Sequence, residues 1–429
     1  MTAATLAVWS AQKIVPLTGH RHHKHAPNPV APDFQAPAPA ASISFGPTAL
    51  AAAMARTATL LNAPPVLLSR LKDSALNDAE ILIADGPVFG LTSYIASLAD
   101  TERTHFAARV GAGITDLYMN GLGYVWRDNA VCLASTLNPH ADFLYAGGNA
   151  SGYGVVLAEA HGSFAGSVTD SKLAAQARNK YLRQVRPFIA KPSPYGEVIH
   201  GYSVAFGSRP GTVGAFLRLS ETLRRKPRRS PPPPSQRLMG AGGRPPTQIA
   251  LASYRSNFVL MDALPVADWI DWTRGLRELP ADIEPLAFFR LEYAGRAFLA
   301  YAHSLSLFRP PFVLMDNVVD HPLWRHRWRR LADQPLSIRW FVIEEKIGER
   351  FLNALSALIR LEDRILPETL DLPSGDFVGS SADGAASITR RDGVPYEYAL
   401  FRDGLALLGG PSPRHITGHR IWHPKHGLE

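Results

Sequence analysis

The sequence predicts an α/β protein in which a mixed sheet is flanked by helices, and three segments carry this prediction. Residues 91–122 follow a helical pattern, as one helix or as two broken near Asp100, that ends at Gly123, a residue type that commonly terminates helices. Residues 153–161, with the sequence YGVVLAEAH, are typical of a strongly apolar strand. A helix predicted at 170–185 precedes another strand at 198–207. Helices therefore stand before and after the central strand.

Two shorter strands are predicted between the first helix and the apolar strand. Residues 125–126 and 131–135 are typical of a hairpin around a polar turn. Residues 142–145 begin the next strand, which a glycine-rich turn at 147–152 separates from the apolar one. The predicted order is thus helix, hairpin, strand, strand, helix and strand.

The chain has 429 residues, more than one hydrophobic core usually accommodates, so several domains are expected. Residues 1–45, rich in Pro, Ala and His, are predicted to be disordered or extended. We expect an α/β domain at 46–225 and a linker with four consecutive prolines at 226–248. Residues 249–429 are predicted to be mainly helical, with a small β-meander at 385–409.

The charge of the chain is compatible with binding to nucleic acid. The net charge is +8, and five positive charges without an acid lie in residues 224–229. Residues 321–331 interleave two tryptophans with four arginines at helical spacing. The preferred interpretation is a helix that packs its tryptophans and exposes its arginines, which could add affinity for DNA.

The cysteine content and the hydropathy of the chain indicate the cellular compartment in which it is expected. Cys132 is the single cysteine, so an internal disulfide is impossible, and a reducing, cytoplasmic location is expected. The Ala-rich run at 48–61 is too short and too weakly apolar to span a bilayer. We therefore expect no membrane partner.

Two acidic residues lie where predicted strands begin and end. Asp142 opens one strand, and Glu159 lies near the end of the apolar strand. Side chains alternate along a strand, so Glu159 and His161 share one face. Two carboxylates close together can bind Mg²⁺ or Mn²⁺, which prefer oxygen ligands and can activate water toward a phosphate. Alternatively, Asp142 is a turn residue and Glu159 pairs with a basic side chain.

Residues 141–164, ADFLYAGGNASGYGVVLAEAHGSF, resemble the motif of the PD-(D/E)xK, or restriction endonuclease-like, nuclease superfamily. Asp142 matches the family's Asp, and Glu159 matches its acidic residue on the next strand. The resemblance covers about a quarter of the chain. It implies a restriction endonuclease-like mixed sheet and Mg²⁺- or Mn²⁺-dependent hydrolysis of DNA, with Asp142 and Glu159 as metal ligands.

The sequence departs from the family pattern at two positions. His161 stands where the family has lysine, and Ala141 stands where it has proline. Some members of the superfamily place the working lysine on the following helix, where Lys172 and Lys180 are candidates. Gln176 lies four residues from each of them, on the same helical face. His161 could also be a metal ligand or a general base.

The position of the lysine separates two functional hypotheses. A lysine that reaches the acidic pair favours a DNA-hydrolysing enzyme. A buried His161 with no lysine near it favours a catalytically inactive scaffold that binds a protein or a nucleic acid. The oligomeric state is left open.

Other polar clusters have simpler interpretations. Glu344-Glu345-Lys346 has the acid-x-lysine pattern, but acids are also favourable at a helix N-terminus, and that interpretation is preferred. Strands are also possible at 287–298 and 336–343. Two histidine groups are interpreted as exposed polar tails, although such tracts can bind metal. They are His20, His22, His23 and His25, and His415, His419, His423 and His426.

Overall fold

The structure is a computed structural model that describes most of the chain. The described residues are 9–24, 31, 33–58, 65–133, 139–223, 242–280, 284–301, 339–361, 365–380, 396–411 and 415–429. The basic run at 224–229, most of the proline-rich linker and the Trp/Arg segment at 321–331 lie outside them. None of the helices in these ranges is both long enough and apolar enough to cross a membrane.

The N-terminal half forms a mixed eight-stranded sheet. Its strands are β1 (Lys13–His23), β2 (Ser42–Phe45), β3 (Trp126–Asn129), β4 (Phe143–Ala146), β5 (Val155–Ser163), β6 (Pro192–Ser193), β7 (Gly196–Ser208) and β8 (Ala215–Thr222). Their order is β2-β1-β8-β7-β5-β4-β3, with β6 paired to β7 outside this path. Strands β3, β4 and β5 are antiparallel neighbours, whereas β5 is parallel to β7 and β1 is parallel to β8.

Helices cover both faces of this sheet. Helices α3 (Asp100–Gly121) and α4 (Asp170–Lys180) lie on its two faces, whereas α1 (Pro47–Ala58) packs on α3 and on α2 (Pro65–Leu82). Helix α3 packs on β5, and α4 packs on the other face against β7 and β8. Thr169 caps α4 by accepting a hydrogen bond from the backbone N–H of Lys172 at 3.3 Å. The predicted mixed sheet with flanking helices is confirmed at this level.

Glycine permits the close approach of α3 to β5. A Cβ atom on Gly111 would lie 2.5 Å from the backbone nitrogen of Gly162, and one on Gly162 would lie 1.7 Å from the carbonyl oxygen of Ala107. Both distances are far shorter than van der Waals contact. The backbone of α3 therefore rests directly on the strand that carries Glu159.

We expect Gly162→Ala to lower the free energy of unfolding by about 1–3 kcal/mol, because α3 must move away from β5 to accommodate the methyl group. Chemical denaturation measures this effect. Gly166→Ala is the matched control, since a Cβ there would meet no atom within 4 Å. Equal stabilities of the two variants would show that this contact is dispensable.

The segment expected to be disordered or extended, residues 1–45, contributes two strands to the sheet. Strand β1 lies between β2 and β8, and its parallel partner β8 is about 200 residues away in sequence. The local composition of this segment favours no regular structure. The hydrogen-bonding partner that makes it a strand comes from a distant part of the chain.

The C-terminal region contains a seven-stranded antiparallel sheet rather than the mainly helical structure with a small meander that was expected. The strands are β10 (Leu286–Tyr293), β11 (Arg296–Tyr301), β12 (Arg339–Glu344), β14 (Glu397–Leu400), β15 (Leu405–Gly409), β16 (Ile416–His423) and β17 (Gly427–Leu428). Their order is β14-β15-β12-β11-β10-β16-β17. A small pair joins β9 (Gly242–Gly243) to β13 (Leu372–Pro373). Helix α7 (Glu345–Ile359) packs on this sheet, whereas α5 (Thr247–Leu260) packs on β3 of the first sheet and α6 (Leu264–Thr273) packs on α5 and α7.

The local predictions for this region are partly confirmed. The strand expected at 287–298 is instead a hairpin of β10 and β11. Of the strand expected at 336–343, residues 339–343 lie in β12, and 336–338 lie outside the described residues. Helix α7 begins at Glu345, so the acids of the acid-x-lysine pattern open a helix as expected. The second histidine group lies on and beside β16, and it is therefore not an irregular tail.

A buried charge network links the two halves. Arg56 of α1 donates to Asp116 of α3 at 2.9 Å and to Asp403, between β14 and β15, at 2.9 Å. All three side chains are fully buried. Asn257 of α5 also donates to Asp403 at 2.9 Å, and Arg127 donates to the carbonyl oxygen of Arg56 at 2.7 Å. This network will be called the Arg56 network.

Candidate active site

Asp142 lies immediately before β4 and is held against β5. Its Oδ2 atom accepts a hydrogen bond from the backbone N–H of Ala160 at 2.8 Å. The antiparallel register pairs Phe143 with Ala158, which brings residue 142 level with residue 159. The structure thus places the two predicted acids side by side.

Glu159 is fully buried on β5 and is bound by a lysine from the following helix. Its Oε1 atom accepts a hydrogen bond from Lys180 Nζ at 2.7 Å, and the lysine side chain is about 37% exposed. The carboxyl groups of Glu159 and Asp142 are close enough to share a hydrogen bond. Among the described residues, no N–H or hydroxyl group donates a hydrogen bond to the buried Glu159 Oε2.

Glu159 holds its proton unusually strongly. Burial raises the pKa of this carboxyl to about 8, the negative charge of Asp142 adds to the effect, and Lys180 opposes it only in part. In the metal-free protein, Glu159 is therefore mainly protonated at neutral pH. A cation that binds this carboxylate must displace the proton.

The metal-free protein is expected to lose stability as the pH rises from about 5 to 8, because folded Glu159 keeps a proton that the unfolded chain has released. The loss in the free energy of unfolding approaches about 1.4 kcal/mol per pH unit between the pKa of Glu159 in the unfolded chain and its pKa in the folded protein. Urea unfolding at several pH values, with a chelator present, measures it as the difference between the wild type and Glu159→Gln. Parallel pH curves for the two proteins would contradict the raised pKa.

His161 and Gln176 lie beside the acidic pair. His161 is on the same face of β5 as Glu159, and Gln176 of α4 lies close enough to hydrogen-bond with its ring. Burial lowers the pKa of His161, the charge of Lys180 lowers it further, and the bond to Gln176 opposes both. The ring is therefore neutral near pH 7. Its Nε2 atom is buried without a hydrogen-bond partner among the described residues.

Lys172, the other lysine candidate, is not brought to the acids. It lies exposed in the first turn of α4. Eight residues separate it from Lys180, which corresponds to about 12 Å along a helix. No described ion pair joins Lys172 to Asp142 or Glu159. Five of the six predicted site residues thus meet at one place, and Lys172 stays outside it.

The surface beside Lys180 is basic. Arg178, Arg183 and Arg186 are exposed on the end of α4 and on the turns that follow it. Arg178 and Arg186, together with Arg21 of β1, also lower the pKa of His23 after the larger effect of burial. Positive charge therefore gathers on the surface around the end of the helix that supplies Lys180.

A second polar cluster, which sequence reasoning missed, lies elsewhere on the same sheet. Within the described ranges, His20, His22 and Glu221 form a group of three metal-compatible side chains. The histidines are prominent in the sequence, but Glu221 is about 200 residues away and belongs to no motif. Only the pairing of β1 with β8 brings these residues together.

Comparisons with known proteins add no family assignment. A scan against protein-family models, a search of curated proteins and a search of solved structures each found no match for this chain.

Proposed function

We propose that this chain is a metal-dependent nuclease with a restriction endonuclease-like core, which hydrolyses phosphodiester bonds in DNA. The position of Lys180 carries this proposal, since its Nζ atom lies 2.7 Å from Glu159 beside Asp142. The acids and the lysine that the sequence resemblance implies are therefore neighbours, although His161 occupies the lysine's usual position in the motif.

The order of elements around the site supports the same proposal. Helix α3, strands β3, β4 and β5, helix α4 and strand β7 follow one another in the predicted order. The hairpin expected at 125–126 and 131–135 is not formed as predicted, because residues 130–133 are a short 3-10 helix and β3 pairs with β4 instead. Asp142 precedes the strand adjacent to the one that carries Glu159, and the helix that follows supplies Lys180. The inactive-scaffold hypothesis expects no lysine at the acidic pair, and Lys180 is there.

The residues present fit a hard divalent cation. Asp142 and Glu159 offer carboxylate oxygens, the donors that Mg²⁺ and Mn²⁺ prefer. The carboxyl groups of Glu159 and Asp142 are close enough to share a hydrogen bond, so a cation that displaces the proton of Glu159 would meet oxygen atoms of both residues. Such an ion, when bound, supplies an activated water and neutralises charge on the phosphate.

The side chains around the acids have separate roles in this proposal. Lys180 can donate to a phosphate oxygen and place positive charge where negative charge develops during hydrolysis. Neutral His161, oriented by Gln176, can accept a proton or a hydrogen bond from a water molecule. Glu159 releases its proton before it binds a cation, so metal affinity should increase as the pH approaches 8.

The basic surface is where DNA would lie. Arg178, Arg183 and Arg186 are exposed beside Lys180 and can contact phosphates without reading bases. Contacts of this kind release counterions, so binding should weaken steeply with salt. This surface orients a duplex toward the buried acids.

Cleavage of labelled DNA and RNA with Mg²⁺ or Mn²⁺ tests the proposal. The wild type should cleave DNA in the presence of metal and lose that activity with a chelator. Glu159→Gln should lower the cleavage rate at least about 10³-fold, because it removes a metal-binding carboxylate while keeping the side-chain volume. Glu344→Gln is the matched control, since it alters the acid of the acid-x-lysine sequence at the start of α7.

Several outcomes would contradict the proposal. A folded wild type that cleaves no DNA with either metal would leave the scaffold hypothesis in its place. Equal loss of activity in Glu159→Gln and Glu344→Gln would remove Glu159 from the active site. Cleavage of RNA alone would overturn the substrate assignment.

A further inference from the structure

Three side chains from two neighbouring strands converge on the far side of the first sheet. The carboxylate of Glu221, on β8, is fully buried. Its Oε1 atom lies 2.7 Å from His20 Nε2 and 3.0 Å from His22 Nε2, both on β1. The three ligand atoms lie within 4.8 Å of one another. Two imidazoles therefore point at one carboxylate oxygen.

Strand geometry explains this convergence. Strands β1 and β8 are parallel, and the register pairs His22 directly with Glu221. His20 is two residues earlier on β1, so its side chain lies on the same face as that of His22. The ring centroids are 4.2 Å apart with an interplanar angle of 71°, and both Nε2 atoms lie within 3.0 Å of the same carboxylate oxygen.

The cluster is distinct from the Asp142–Glu159 site. In the register of β7, Ser203 pairs with Glu159, whereas the preceding residue, Tyr202, pairs with Glu221. Paired residues share a face of the sheet, and consecutive residues point to opposite faces. Glu159 and Glu221 therefore lie on opposite faces.

We propose that His20, His22 and Glu221 form a binding site for a divalent transition metal ion of the zinc class. Two imidazole nitrogens and one carboxylate oxygen are a ligand set typical of Zn²⁺, and three protein ligands leave a fourth position open. Donor atoms on a tetrahedral Zn²⁺ ion are about 3.3 Å apart. The observed separations of 2.7 and 3.0 Å are close to this, so small rotations of the side chains admit the ion.

The surroundings support an ion at this position. The His22 side chain is about 35% exposed, which gives a path from solvent, while His20 and Glu221 lie deeper. His200 Nε2 lies 3.5 Å from the other carboxylate oxygen, Glu221 Oε2, and can fix the orientation of the carboxylate. Phe34 packs against His200 and adds an apolar wall. A bound metal ion would link β1 to β8 in addition to the hydrogen bonds between these strands.

Titration of the metal-free full chain with Zn²⁺, or with Co²⁺ followed by its visible spectrum, tests this site. One equivalent of metal should bind, and Mg²⁺ in millimolar amounts should not displace it. His22→Ala should weaken binding at least about tenfold, because it removes one of three ligands from an exposed position. His423→Ala is the matched control, since His423 and His426 form another histidine pair with rings 4.4 Å apart.

The residue types that bind the metal ion can also be determined without a mutation. X-ray absorption of the Zn²⁺-loaded wild type should show two imidazole nitrogens together with oxygen donors. A wild type that binds no zinc, a His22→Ala variant that binds as tightly as the wild type, or a zinc shell without two imidazoles would overturn the proposal. Glu159→Gln should retain zinc binding, so failure of the nuclease proposal leaves this test unaffected.

Discussion

Replacing Lys180 by methionine is expected to lower the rate of metal-dependent DNA cleavage by about 10²–10³-fold. Lys180 Nζ bonds Glu159 at 2.7 Å and is the described lysine that reaches the acidic pair. Methionine has a similar length but carries neither the positive charge nor the hydrogen-bond donor. Single-turnover cleavage at saturating metal measures the loss directly.

Lys172→Met is the matched control for this prediction. It makes the same chemical change on the same helix, two turns away and exposed to solvent. We expect its cleavage rate to stay within about twofold of the wild type at low salt, since it can lose only a distant phosphate contact. If Lys172→Met lost activity and Lys180→Met retained it, the wrong lysine would have been assigned.

Replacing Asp403 by asparagine is expected to lower the free energy of unfolding by about 3–5 kcal/mol. Burial disfavours the Asp403 carboxylate, but the charge of Arg56 outweighs it and holds the pKa of Asp403 below its usual value. Asparagine keeps the shape of the side chain and removes the charge. Arg56, fully buried, then loses one of its two carboxylate partners.

An exposed ion pair provides the control for the Arg56 network. Asp376 accepts a hydrogen bond from Arg296 at 2.7 Å, but its side chain is 72% exposed. Asp376→Asn should therefore lower the free energy of unfolding by less than about 1 kcal/mol. Urea unfolding compares the two variants, and equal midpoints would show that the Arg56 network contributes no more than a surface pair.

The core of the candidate site could be predicted from the sequence because it rests on local spacing. Alternation along β5 puts Glu159 and His161 on one face, and the short turn before it returns the chain to Asp142. The helical repeat then puts Gln176 and Lys180 on one face of α4. The choice between Lys172 and Lys180 depends on how α4 packs on the sheet, which local spacing does not determine.

The parts that were not predicted depend on distant strand partners. Strand β1 is rich in histidine and pairs with β8 about 200 residues later. Strand β16 contains His419 and pairs with β10, more than a hundred residues earlier. Neither segment has the apolar alternation of a predictable strand. Their structure comes from hydrogen bonds to remote strands, and the Glu221 cluster comes from the same pairing.

The central claim, that a divalent cation binds between Asp142 and Glu159, is tested most directly by locating that ion. Crystals of the full chain soaked with Mn²⁺ at about pH 8 should give an anomalous difference peak within coordination distance of both carboxylates. Crystals of Glu159→Gln should lack this peak. A well-ordered wild-type site without a peak at high Mn²⁺, or a peak solely at His20, His22 and Glu221, would contradict the account.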